Sequence, residues 1–247
     1  MTGLTATDKI SYELTKSMVP RTKSILETSI EDFIETARPV TSGYLYKKYD
    51  FGIKPAMIRR ELSKLDQAGF LSQIHPSGGR IPTNKAYRLF VKNLKEENLE
   101  PDVPKKTGRE MLEELASQKM NVLTEMLAEY LDTLSAVYEP TRQEFFSAGL
   151  KNLFESVETE EKNELGRIIK DFEMLPHRLS QKIDNLSGRK EIQVFVGNNP
   201  LTESEYLSVM AEEFNQDGDR FLILTIGPRR MDYRKSLCIF RFFENET

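Results

Sequence analysis

Between Lys54 and Leu65 the chain interleaves Lys54, Met57, Arg59, Arg60, Glu61 and Lys64 with Ile58, Leu62 and Leu65. Apolar residues at i, i+4 and i+7 mark the buried stripe of a helix, which leaves the other set outward or beside it. Such a helix fits the major groove of DNA. An Arg there can bond both acceptors of a guanine edge, and a Lys can bond phosphate or guanine. Met57 offers an apolar contact to a thymine methyl, and Glu61 either accepts from a cytosine amine or pairs with a neighbouring Lys. Downstream, Ser77, Gly78 and Gly79 allow close backbone approach to a phosphate, and Arg80 suits the minor groove. Each residue alone is an ordinary solvated side chain; the signal is their coincidence on one helix and one adjacent loop.

Catalytic patterns are scarce by comparison. The sequence has no Walker loop, dinucleotide-binding glycine pattern, Gly-x-Ser-x-Gly elbow or His-Glu-x-x-His. Two histidines, His75 and His177, and the single Cys238 cannot build a His/Cys zinc site or an internal disulfide. Neither enzymatic activity nor a cofactor or metal is expected. No run approaches 18 apolar residues and no secretory pattern opens the chain, so a cytoplasmic protein is expected.

The 247 residues carry a net charge of −4, unevenly distributed. Arg21 to Lys95 holds 14 Lys and Arg against 7 Asp and Glu, whereas Glu96 to Thr247 holds 19 against 30. A basic front and an acidic rear point the front toward a polyanion. Four segments follow: a tail over 1–20, a basic domain over 21–95, a linker over 96–109 with Pro101 and Pro104, and a larger domain over 110–247.

The basic domain reads as a helix from Arg21 to Ala37, then a short helix from Gly43 to Tyr49 capped by Ser42. A glycine turn at Asp50-Phe51-Gly52-Ile53 leads to a helix beginning at Pro55 and ending at Gly69. Phe70 to Ile74 and Arg80-Ile81-Pro82 form a two-stranded flap, and Thr83 caps a further helix. That order is a winged helix–turn–helix. In the rear domain Ala116, Met120, Leu123, Leu127, Tyr130, Leu134 and Val137 alternate spacings of four and three. They predict one long amphipathic helix over 110–138, whose seam packs within its own domain or between chains. Phe145 to Phe154 predicts a helix, Leu165 to Phe172 another, and Pro176 separates a fourth bearing Leu179, Ile183 and Leu186. Glu191 to Gly197 and Phe221 to Ile226 are strands joined through an Asp217-Gly218 hairpin signal, Tyr206 to Phe214 fits strand or helix, and Met231 to Phe243 closes as a helix.

Ile58-Arg59, Gly69-Phe70-Leu71, His75-Pro76-Ser77-Gly78-Gly79-Arg80-Ile81-Pro82-Thr83 and Tyr87-Arg88 resemble the winged-helix domain of the HrcA family of bacterial heat-shock repressors. Ile34-Glu35-Thr36, Pro39-Val40 and Ser42 resemble its first two helices. Independently, Gly227, Pro228, Arg230, Met231, Asp232 and Tyr233 match its C-terminal Gly-Pro-Thr-Arg-Met-Asp-Tyr, and Gly149 and Asn152 sit in a Phe-x-x-Gly-x-x-Asn-Leu-like segment. The resemblance implies an α+β protein: a winged helix–turn–helix followed by a GAF-like domain. It implies a dimeric repressor, nucleoid-associated, that binds double-stranded DNA at an inverted repeat, the CIRCE element, upstream of chaperone genes. The chaperonin GroEL is the implied modulator. The alternative is a winged helix used as a protein-interaction scaffold without specific DNA binding.

The sequence also departs from the family. Lys54-Pro55-Ala56-Met57-Ile58-Arg59-Arg60 stands where Ser-Ser-Ala-Thr-Ile-Arg-Asn is usual, and Arg229 replaces a Thr. The chain is about a hundred residues shorter than a usual member, with Tyr138-Glu139-Pro140 joining the long helix to the Phe146 segment. A reduced GAF-like sheet follows, with Met120, Leu123, Leu127, Tyr130 and Leu134 as the candidate dimer seam.

Overall fold

The computed structural model describes residues 18–73, 75, 78–97, 99–156, 162–186, 191–216 and 218–246, in two compact units divided between Glu96 and Glu97. The fold is α+β, with helices and a small sheet in the first unit and a five-stranded sheet in the second.

In the first unit, α1 (Pro20–Thr36) begins on proline, whose missing N–H costs nothing there, and stops where Ala37 turns left-handed. It buries Ile25, Leu26, Ile30 and Phe33. The cap of α2 (Ser42–Lys48) is Thr41, one residue before the expected Ser42: its hydroxyl accepts the Tyr44 N–H at 3.2 Å, and Ser42 is buried as the first helical residue. Gly52 takes φ +65°, with its N–H bonded to Asp50 Oδ1 at 2.9 Å. That turn feeds α3 (Pro55–Gln67), which ends before Gly69 at φ +74°. Strands β1 (Leu71–Gln73) and β2 (Arg80–Pro82) pair antiparallel, and α4 (Asn84–Glu96) follows with Tyr87, Phe90, Val91 and Leu94 buried. Ile58, Leu62 and Leu65 of α3 lie fully inside, as the i, i+4, i+7 spacing requires.

In the second unit the expected long helix is three elements. α5 (Lys105–Ala116) ends near Gln118, which takes φ +54°; α6 (Met120–Leu131) ends on left-handed Asp132; the chain then becomes β3 (Leu134–Glu139). Two left-handed residues break the helical ladder, and β3 gains backbone partners on both of its sides. The proposed dimer seam is thereby overturned: Met120, Leu123, Leu127 and Leu134 are buried in the unit's own interior, and half-buried Tyr130 lies under the Lys235 ammonium at 4.3 Å. Within the stretch expected as a linker, α5 already begins at Lys105, and Val103 and Gly108 are buried. A Cβ on Gly108 would stand 2.6 Å from the Phe242 ring, so any larger residue there would have to displace that ring.

Phe145 and Phe146 belong to β4 (Glu144–Ala148), the hairpin partner of β3, and the expected helix begins only with α7 (Leu150–Ser156). Tyr138-Glu139-Pro140 is therefore the end of a strand and the start of a hairpin turn. α8 (Lys162–Leu186) runs unbroken through Pro176, where two helices were expected. Ile168, Leu175 and Leu179, on one buried stripe either side of the proline, hold it together. β5 (Gln193–Val196), β6 (Leu207–Gln216) and β7 (Asp219–Pro228) complete the sheet, so the ambiguous Tyr206–Phe214 segment is strand; α9 (Tyr233–Glu246) closes the unit. Strand order is β4-β3-β7-β6-β5, all antiparallel.

Both faces of this sheet are covered. Leu134, Ala136, Val209, Ala211, Leu222 and Leu224 meet Leu153 of α7 and Ile168, Leu175 and Leu179 of α8. On the other face Phe214 packs against Phe240 and Phe243 of α9, and Ser208 bonds the Tyr233 hydroxyl at 2.7 Å. Burial on both sides explains why β3 and β7 lack the polar alternation of a half-exposed strand.

Candidate nucleic-acid interface

Lys54, the N-cap of α3, and Arg59 and Arg60 on the helix are exposed, and their side chains make no hydrogen bond or ion pair among the described residues. Met57 is 41% exposed beside them. Lys64 is exposed as well, but its ammonium bonds Glu61 Oε1 at 2.7 Å.

Glu61 takes the second of its two expected roles, pairing with Lys64, and lies inside the unit instead of outward. It is 8% exposed, turned toward α1, and accepts the Thr22 hydroxyl at 2.8 Å. Burial alone would raise its pKa. The hydrogen bonds from Lys64 and Thr22, with the Lys64 and Arg60 charges, outweigh burial and hold the carboxyl below its ordinary value. A carboxylate so engaged does not read a base edge.

The flap differs more. Ser77 lies outside the described residues. Gly78 is exposed, its N–H bonded to His75 O at 2.8 Å. Gly79 is buried, and a Cβ on it would fall 2.6–2.8 Å from the Pro39 carbonyl and side chain. Its smallness serves the α1–α2 loop, not a phosphate. Arg80, expected to reach the minor groove, is 12% exposed at its side chain and donates to Asp66 Oδ2 and Ser63 Oγ of α3, each at 3.2 Å.

The second helix contributes what the sequence reading left out. Tyr46 is 50% exposed and Lys47 is exposed, neither with a partner. The available signal is that Leu45 is the one aliphatic side chain of a seven-residue helix, so that Tyr46 and Lys47 fall on its outer face. α2 is held to α1 through Asp32, whose Oδ1 accepts from Lys48 Nζ at 2.7 Å, Tyr44 OH at 2.8 Å and Tyr49 OH at 3.0 Å. Burial would raise the Asp32 pKa, but these donors and the Lys48 charge bring it below the ordinary carboxylate value. The same contacts hold Lys48 firmly protonated, and burial first, then Asp32, pushes the Tyr49 phenol up. Lys47, Lys54, Arg59 and Arg60 thus stand as unpaired cations on two consecutive helices, joined by exposed Tyr46 and Met57. That surface can neutralise phosphates and reach base edges.

The C-terminal motif is placed elsewhere and does structural work. Gly227 at the end of β7 packs closely on Thr133 and Met231, where a Cβ would have 3.0–3.1 Å contacts. Asp232 Oδ1 accepts the Lys235 N–H at 2.9 Å at the start of α9, and Tyr233 donates to Arg229 O at 2.6 Å. Arg230 reaches Ser156 O at 3.4 Å, and Pro228 and Met231 are buried. These contacts fix the β7–α9 turn.

A family model described as HrcA protein C terminal domain matches residues 83–237. A heat-inducible transcription repressor HrcA of Roseiflexus sp. (strain RS-1) is 34% identical over 143 residues, 57% of this chain and 39% of that protein. The one of Natranaerobius thermophilus is 50% identical over 74 residues, 30% of this chain and 22% of that protein. The matches thus span well under half the length of these curated relatives. Among solved structures, one described as a hypothetical protein at 2.2 Å resolution superposes with TM-score 0.72 over 93% of this chain and 97% of its own, at 15% identity. It shares the fold.

Proposed function

The chain belongs to the HrcA family, and from that premise we propose that it is a heat-inducible transcription repressor whose first unit is a winged helix–turn–helix. In this reading α2 and α3 are the two helices of the motif, β1 and β2 the wing, and α3 the element that enters the major groove. The observation that carries it is the cluster of unpaired cations, Lys47, Lys54, Arg59 and Arg60, on those two helices. The second unit is a GAF-like regulatory domain, a reading supported by its five-stranded antiparallel sheet with helices on both faces. The protein acts in the cytoplasm at the nucleoid, as a homodimer on a CIRCE-like inverted repeat, with GroEL as modulator. Among the described residues no helix is long and apolar enough to cross a membrane.

Fluorescence anisotropy with a CIRCE duplex and a scrambled duplex across a salt series tests this. Preference for CIRCE by about a thousandfold or more is the expected result. Equal, steeply salt-dependent binding to both would mean a different operator. No binding to either would favour the protein-contact reading, in which exposed Tyr46 and Met57 meet a protein partner.

A further inference from the structure

Arg80 has the residue type and the sequence position of a DNA contact, yet its guanidinium points into the protein. Nε donates to Asp66 Oδ2 and Nη2 to Ser63 Oγ, each at 3.2 Å, with Gln73 Oε1 at 3.5 Å. Asp66 and Ser63 are on α3, and Gln73 is on β1, the strand paired with β2. The backbone of Arg80 is engaged too: its N–H and carbonyl exchange two 2.9 Å bonds with Val40 in the loop before α2. Directly before it, Gly79 presses on Pro39 at a distance no side chain would tolerate. One residue therefore ties the β1–β2 hairpin to α3 by its side chain and to the α1–α2 loop by its main chain.

We propose that Arg80 is a positioning residue that braces the hairpin against α3 and fixes their separation, without touching DNA itself. The part concerning DNA rests on the repressor reading above. A planar fork can serve Asp66, Ser63 and Gln73 together, whereas a lysine ammonium keeps the charge but not that geometry.

Arg80→Lys separates the alternatives, because a phosphate contact would survive it largely intact and a brace would not. In the full chain, amide hydrogen exchange at Leu71–Gln73 and Arg80–Ile81 should accelerate about tenfold in Arg80→Lys and in Asp66→Ala. The double variant should be no faster than either single one, since both remove the same link. Against DNA, Arg80→Lys should lower the CIRCE-to-scrambled affinity ratio about tenfold while leaving the salt slope unchanged. Unchanged exchange in Asp66→Ala, or strictly additive effects, would overturn the brace. So would an Arg80→Ala variant whose salt slope falls by about one contact while hairpin exchange stays at the wild-type rate. If the wild-type chain ignores both duplexes, the repressor reading fails, and the exchange measurements still decide the brace.

Discussion

In the second unit several cations are tied down: Arg178 holds Asp171, Glu203 and the Leu201 carbonyl, Arg142 bridges Glu139 and Asp219, and Lys182 caps the Pro200 carbonyl. Lys106 and Lys151 make only exposed i,i+4 pairs, and Lys105 and Arg109, near the start of α5, have no side-chain partner among the described residues. The first unit pairs the cations that hold it together, Lys48 with Asp32 and Arg80 with Asp66, and leaves Lys47, Lys54, Arg59 and Arg60 bare on α2 and α3. Net charge already separates the two units. Partner counting says more, because a cation with an internal carboxylate has little left for a phosphate. Of the positively charged residues that look alike in sequence, the structure separates those held by internal partners from those left without one.

The largest expected effect leaves that surface untouched. Leu224→Ala, in the sheet interior of the second unit, should cost about 2–5 kcal/mol in urea unfolding. It should leave the exposed cations of the first unit as they are, so monomeric affinity for non-specific duplex stays at the wild-type value. Next comes the contact surface: Arg60→Ala should lose about 1–3 kcal/mol of affinity for a specific duplex, and Arg109→Ala none. Equal losses in the two variants would erase the contrast between the units.

Acid provides a third way in. The folded pKa values of Asp32 and Glu61 lie below their ordinary values of 3.8 and 4.5. Their stabilisation is therefore complete above about pH 4.5 and is lost as pH falls through the lowered folded values. Tyrosine fluorescence melts between pH 7 and pH 3 should show the first unit weakening below about pH 4.5. Asp32→Asn should remove roughly 1–2 kcal/mol at neutral pH and flatten that decline. The smallest effect concerns the cap of α2: Thr41→Ala should cost about 1 kcal/mol, more than Ser42→Ala, by thermal melting. The reverse order would return the cap to Ser42.

The first unit was legible in sequence wherever local chemistry decides. Pro55 and Gly69 bound α3, Gly52 makes its turn, and the Ile58, Leu62, Leu65 stripe sets which face is buried. Apart from the cap of α2, which is Thr41 and not Ser42, the departures there are partners distant in sequence. Glu61 finds Thr22 thirty-nine positions away, and Gly79 meets Pro39; no periodicity reports either contact. In the second unit the heptad spacing from Met120 to Leu134 is real as a pattern of burial but does not mean one helix: Met120 to Tyr130 lie on α6, and Leu134 opens β3. A strand buried on both faces, Leu134-Ser135-Ala136-Val137-Tyr138, shows no alternation to announce itself. Pro176 misled in the opposite sense, because packing of Ile168, Leu175 and Leu179 outweighs the local cost of proline.

The pairing of β6 with β7 carries a kinetic consequence. Ten residue pairs, from Leu207 opposite Pro228 to Gln216 opposite Asp219, zip outward from the Gln216–Asp219 end, so each bond closes a loop only slightly longer than the last. β3 must instead find β7 across most of the unit, bringing Leu134 opposite Ile226. The hairpin is thus the expected nucleus and the docking of β3 the slow, entropy-limited step. Substitutions along β6–β7 should slow folding, whereas those on β3 should chiefly hasten unfolding.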